Sequence, residues 1–566
     1  MKFREFLREL HRRNVWKVAV AYTGAAVVLL EVLTHLFHNF EAPDWVLKVI
    51  TTLLIAGLPL ACLAAWGFEV KEGRVRSVPP EPRETKPALP APAATAPPSI
   101  AVLPFEDMSA EHDQQYLGDG IAEELLSALA SIAELKVAAR TSAFSFRGRS
   151  ATMKEIGEVL HVRHVLEGGV RRSGQKLRVT AQLIDVDTGY HLFSQSYDRA
   201  VADIFAIQNE IAREIVTALL PRLGLAGDVR LVRHGTTNLE AYNLRLKARE
   251  RLAVPDPLTA DQSFSQLRQA IAIDPTYAAA WGDLAYLQLA TTTWEVDPVP
   301  AMLESYRSAM VALDHDPDNV QALLVLAYLS TLVHRDHATA GRYLARAQQA
   351  GTDLSYWAFI KAVTHDGPLG RCDDALAALE EALAKDPLAP SLLSARVWML
   401  SAAGRMAEAV GAADAALPLA SRAATLLIVA ARIHLAAGDV ARVLELLESA
   451  SHTSAERYPG YLPLRIAAEV AAGNRDAAQE LFDRLLERGV DAQPSACYAI
   501  GEAYLTLGNA DRTFEWWTRS VERREPWSIW LMATQYRNHP VIGKDPRFLA
   551  LLRRMGLESG ALAGVP

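Results

Sequence analysis

Between Ser99 and about Leu220 the spacing of apolar residues changes period several times. Ile100 to Phe105 is a continuous apolar run, short enough for a buried strand, and Ile121 to Ile132 repeats apolar residues at helical spacing behind Asp119 and Gly120, a natural start signal. Leu135 to Phe144 reads as a second strand and Met153 to Leu160 as a short helix. Three strand-like runs follow, Val165 to Arg171, Leu177 to Asp185 and His191 to Tyr197. Ser173-Gly174 and Asp187 to Gly189 lie between them as hairpin turns, because glycine tolerates the positive φ that such turns need. Asp203 to Leu220 closes the unit as a helix. The order βαβαβββα predicts a small α/β domain over residues 99–224.

Upstream, two apolar runs are each long enough to cross a hydrocarbon core, which takes about 20 residues: Val15 to Phe37 and Trp45 to Phe68. Lys2, Arg4, Arg8, Arg12, Arg13 and Lys17 precede the first, and Lys71, Arg74, Arg76, Arg83 and Lys86 follow the second. The loop from His38 to Asp44 has no Lys or Arg. Basic flanks on the outer ends of such a hairpin predict both termini in the cytoplasm, at a bacterial inner membrane. Two full-length spans argue against a cleaved signal peptide. Glu31 lies inside the first span; it is a candidate intramembrane polar residue, reaching the outer interface near His35 and His38 or pairing between helices. Residues 78–98 are rich in Pro and Ala and predict an extended linker after an anchor of residues 1–77.

Downstream, triplets of small or apolar residues recur. Ala340/Leu344/Ala347, Ala375/Leu379/Ala382, Ala409/Ala413/Ala416, Val443/Leu447/Ala450, Ala478/Phe482/Leu485 and Thr513/Trp517/Ser520 follow one another at steps of 34 or 35 residues. Ser263/Leu267/Ala270 and Ser305/Ala309/Ala312 are looser copies. Asp-Pro pairs at 274–275, 316–317 and 386–387 end helices, since proline cannot continue one. A period near 34 with small residues where paired helices cross is the pattern of tetratricopeptide repeats. About eight of them are expected over residues 236–540, with a capping segment over 541–566.

Four stretches carry a further resemblance: Ser99 to Ser109 (SIAVLPFEDMS), Gly118 to Leu126 (GDGIAEELL), Ala138 to Ser142 (AARTS) and Asp203 to Gln208 (DIFAIQ). Together they resemble the TolB amino-terminal-like domain of bacterial membrane-anchored proteins that also hold tetratricopeptide repeats. Those relatives are often labelled adenylate cyclases. Their catalytic domain precedes this module, whereas residues 1–98 here read as anchor and linker, so the expectation is a protein that is not an enzyme. The repeat family further implies that positions 2, 5, 9 and 12 of each repeat face a concave groove. With Ala409 as position 20, the candidate protein-binding groove residues are Trp357, Trp398, Arg432, Tyr498 and Glu502.

Composition narrows the picture. A net charge of −8 over 566 residues argues against a nucleic-acid partner. Cys62, Cys372 and Cys497 are too far apart for a disulfide framework or a zinc site. Every catalytic or cofactor pattern fails on a required residue. Glu123 stands where a dinucleotide fingerprint needs its third small residue, and Gln175 where a phosphate loop needs Lys. Asn319 and Val325 replace the turn glycine and bidentate Glu of a calcium loop. His161 and His164 have no third ligand nearby. Arg140, Arg147, Arg149, Arg163, Arg171 and Arg172 are interspersed with acids, as on a solvated face. No cofactor is expected. The reading is multidomain: a two-span α-helical membrane hairpin, a small α/β domain and a C-terminal all-α tetratricopeptide solenoid. Its expected role is a scaffold or signalling adaptor, with a protein partner in the groove, a lipid bilayer at the anchor and room for a homo-oligomer. A nucleotide or sugar sensor and an enzyme with an unrecognised site are the alternatives.

Overall fold

The computed structural model describes residues 54, 68–71, 74–77, 98–111, 114–130, 132, 134–149, 151–174, 176–200, 204–223, 225, 235–252, 257–292, 297–351, 354–421, 423–453, 458–491, 494–526 and 528–557. Contacts divide the chain into two units, Met1–Thr95 and Ala96–Pro566. In the first, strands β1 (Phe68–Lys71) and β2 (Arg74–Ser77) form an antiparallel hairpin, with Phe68 opposite Ser77. Phe68, expected as the last residue of the second span, therefore opens a strand. The rest of both expected spans, Glu31 included, lies outside the described residues apart from helical Leu54. Among the described residues no helix is long and apolar enough to cross a membrane, so the expected membrane hairpin has no support here.

The second unit opens with a six-stranded sheet: β3 (Ser99–Val102), β4 (Glu106–Asp107), β5 (Lys136–Val137), β6 (His164–Ser173), β7 (Lys176–Asp185) and β8 (His191–Ala200), in the order β5-β3-β6-β7-β8. β3 runs parallel to β5 and β6; β4 continues along β6 beyond Pro104; β6, β7 and β8 form an antiparallel meander. Alternation divides the core. Ile100 and Val102 face the helices Gln115–Ala130 and Ile204–Leu219 across the larger core, while Ala101 and Leu103 join Ile156, Leu160 and Val165 on the other face. The two turns are as expected, with Gly174 and Gly189 at φ of +58° and +69°.

Two expectations differ from the fold. The first helix begins at Gln115, ahead of Gly118 and Gly120. The expected start at Asp119 and Gly120 therefore lies inside the helix; a Cβ on neighbouring Gly118 would sit 2.5 Å from the Phe105 carbonyl oxygen, so that glycine permits close packing of the helix there. The run 135–144 is a two-residue strand followed by the helix Arg140–Phe144. Its main chain is held by a distant part of the chain, since the Ala139 amide donates to the Lys385 carbonyl (2.8 Å). Local apolar content could not report that.

From Leu239 onward the described residues form eight antiparallel helix pairs, ending with Ala496–Thr506 and Ala510–Glu522. The triplets found in the sequence lie where helices cross; Ala340, Ala375, Ala409, Val443, Ala478 and Thr513 are fully buried, and so are Ser263 and Ser305 of the looser copies. Small side chains there let the helix axes approach. The first helix of five pairs ends at Gly370, Gly404, Gly438, Gly473 or Gly508, each at φ between +77° and +85°, the left-handed cap glycine favours. Arg335 takes this position in the pair 320–349 with φ of +54°, a conformation costly for a residue with a side chain.

Candidate protein-binding groove

The five candidate groove residues fall in three settings. Trp357, on the helix Leu354–Ile360, is buried, and its Nε1 donates to the Leu344 carbonyl (2.9 Å). That places it between adjacent helices rather than open to a ligand. Trp398, on the helix Pro390–Ala402, is half-buried, and its Nε1 meets no acceptor among the described residues. Arg432, Tyr498 and Glu502 are brought together although 70 residues separate Arg432 from Glu502. Arg432 donates from Nη1 to Glu502 Oε1 and from Nη2 to Oε2 (3.3 Å). Tyr536 Oη donates to the same carboxylate (3.1 Å), and Arg432 Nη1 also donates to Gln535 Oε1 (3.3 Å).

The electrostatics follow from burial. Desolvation works against the charge on Arg432, yet Glu502 and then Tyr498 outweigh it and hold the guanidinium above its ordinary pKa. Burial, reinforced by the Glu502 charge, drives the phenols of Tyr498 and Tyr536 well above the usual tyrosine range. The cluster is one ion pair wrapped in neutral phenols. Glu525, which no sequence pattern marks, caps the helix Ala496–Thr506: it accepts from the Cys497 and Tyr498 amides (3.2 and 2.9 Å) and from Ser520 Oγ (2.7 Å). Burial, then the Glu525 charge, pushes the Cys497 thiol up to about 12, so it is inert.

A second set of polar contacts joins the α/β domain to the array. Buried Asp386 accepts from the Ser142 amide (2.9 Å), from Ser142 Oγ and from Ser355 Oγ (2.7 Å), and Ser142 Oγ accepts from the Leu388 amide (2.8 Å). Leu388 completes the second core of the α/β domain. Asp386-Pro387 was legible only as a helix stop. Farther along, Glu123 lies between Arg140 (2.7 Å) and Arg249 (2.8 Å). Burial favours its neutral form, but Arg249 and Arg140 overcome that and lower its pKa.

Several of the other residues noted in the sequence have structural roles. Arg147 pairs with Asp119, and Arg171 and Arg172 donate to the carbonyls of Met108 and Gly174 (3.2 and 3.3 Å). His161 is a left-handed helix cap, while His164 contacts the Ser99 carbonyl through Nδ1 (3.1 Å). Among the described residues no group of three or more His, Cys, Asp or Glu is arranged to hold a metal ion.

One family comparison agrees with the repeat geometry. The tetratricopeptide repeat family profile matches residues 369–424 and 466–523. A protein of Rhizobium meliloti (strain 1021) called putative adenylate cyclase 3 is 34% identical over 279 residues, 48% of this chain and 46% of the relative. The chain thus spans less than half the length of that relative. Among solved structures, a human IFIT1 dimer with PPP-AAAA aligns over 56% of this chain and 79% of its own at 15% identity and a TM-score of 0.34. PilW, a type IV pilus biogenesis factor, aligns over 44% and 94% at 15% identity and a TM-score of 0.26. The helix pairs of this chain are tetratricopeptide repeats, a unit that stacks into extended protein-binding surfaces.

Proposed function

We propose that the chain is a membrane-anchored scaffold or signalling adaptor. In this reading the repeat array holds a protein partner and the α/β domain, a TolB amino-terminal-like module, senses or docks something beside it. The anchor, read from residues 15–37 and 45–68, would set the soluble part on the cytoplasmic face of a bacterial inner membrane. The observation that carries the reading is the clustering of Arg432, Tyr498 and Glu502, three of the five residues assigned to the groove from the repeat register, on the first helices of the repeats. Arg and aromatic side chains are the usual anchors of protein interfaces. The relative's cyclase name applies to a protein matched over less than half its length, and we do not extend that activity to this chain.

The test is crosslinking in isolated membranes followed by mass spectrometry. A protein captured through the repeats and found in the membrane fraction is expected, and a second copy of this chain would identify a homo-oligomer. A chain recovered from the soluble fraction with no crosslinked protein overturns the proposal.

A further inference from the structure

The groove already holds a polypeptide. After Glu525 the chain turns back across the first helices of the array, through a π-helical turn at Ser528–Met532 and a single turn at Ala533–Gln535. Ile529, Met532, Ala533 and Tyr536 are buried in the same core as Ile360, Val397 and Met399. Polar contacts extend the path. Tyr536 Oη reaches Glu502, Arg537 Nη2 donates to the Pro368 carbonyl (2.6 Å), and Asn538 Nδ2 donates to the Ala402 carbonyl (2.7 Å). Pro368 and Ala402 are one repeat apart, at the ends of successive first helices, where carbonyls lack intrahelical donors.

A capping segment has only to cover the last pair, and the helix Pro546–Arg554 does so by setting Phe548 against Trp517 (6.4 Å between ring centroids). The stretch before it reaches four repeats back. It buries apolar side chains against the first helices and ends on helix-end carbonyls through Arg537 and Asn538, as a bound peptide does.

We infer that residues 528–538 are a tethered ligand closing the groove in cis. The partner that fits the vacated groove is a polypeptide presenting the same donors in the same order: phenol, guanidinium, carboxamide. This deepens the scaffold reading and rests on it: a partner gains the groove only by displacing the segment. A short tether supplies its ligand at an effective concentration of about millimolar, so a free peptide competes poorly with it.

The probe is a fluorescent peptide of residues 526–541, followed by anisotropy. The intact chain should bind it weakly. The double variant Arg537→Ala/Asn538→Ala, altered only in the segment, should bind it at least about tenfold more tightly, because the tethered competitor is weakened. Adding Glu502→Gln should abolish the gain. A folded double variant that binds no better than the intact chain overturns the inference. If the double variant does not fold, amide exchange of the intact chain decides. Exchange of 528–538 by local opening, faster than that of 510–522, supports the tethered ligand, and exchange of both together overturns it. Peptide binding to the double variant without any protein crosslinked in membranes removes the scaffold reading and leaves the tethered segment; the reverse pattern removes the tethered segment alone.

Discussion

The α/β domain and the C-terminal segment both fold onto the repeat array, but by different chemistry. At the α/β junction the donors are main-chain amides and short hydroxyls: Ser142 and Ser355 close on Asp386, and the Leu388 amide closes on Ser142 Oγ, with little side-chain freedom to lose. Leu388 also enters the core of the α/β domain. In the groove the contacts come largely from long side chains, Arg432, Gln535 and Arg537, whose ordering costs more entropy. The first arrangement suits a permanent joint, the second a contact that opens. Two attachments to one scaffold are therefore expected to differ in reversibility because of which atoms donate.

The largest expected effect tests the groove side of this contrast. Arg432→Ala leaves the Glu502 carboxylate buried with only Tyr536 for support, and removing one partner of such a pair costs about 3–5 kcal/mol. The urea midpoint of the array should fall accordingly, and replacing both residues by Met should restore most of it. A loss under about 1 kcal/mol, the range of exposed pairs, would mean that water reaches the pair and that the groove is already open.

Asp386→Ala probes the joint. It leaves the Ser142 amide and the Ser355 hydroxyl buried without their acceptor, at a cost of about 1–3 kcal/mol. The α/β domain should then unfold at lower urea than the array, with new protease cleavage near 139–145. Unchanged cleavage and a single transition at the native midpoint would show that the apolar contact of Leu388 holds the joint without the carboxylate.

The sequence made some of this legible and hid the rest for physical reasons. Helix crossings such as Ala375/Leu379/Ala382 are local, repeated and sterically demanding, so they leave a period that can be read directly. Strand β3 declares itself by its apolar run because both faces are covered. Arg140–Phe144 does not, because its helix depends on Lys385 and Asp386, some 240 residues away. The groove register points to Arg432, Tyr498 and Glu502, but their burial under Tyr536 comes from the chain's own return, which no periodicity encodes. Trp357 shares the groove register yet belongs to the core, since position in a repeat fixes a direction and not what lies in that direction.

The smallest expected effect is a pH dependence at the far end of the groove. His337 is buried and its Nε2 donates to the Met555 carbonyl (3.3 Å), tying the repeat 320–349 to the end of the capping helix. Burial is the main influence and lowers its pKa below 6.5; His365 and Arg371 act in the same direction, while the Met555 carbonyl and Asp336 oppose. The sign follows from linkage. Above pH 6.5 the ring is neutral in folded and unfolded chains alike, so it adds no pH dependence. As pH falls below 6.5 the unfolded chain takes up a proton that the folded chain resists, and stability is lost until the folded pKa is passed. One such group contributes at most about 1.4 kcal/mol per pH unit. His337→Gln, which keeps an amide donor and removes the titration, should flatten the dependence of the urea midpoint between pH 7 and 5 relative to the native chain. Parallel profiles for the two proteins would assign the acid sensitivity to groups other than His337.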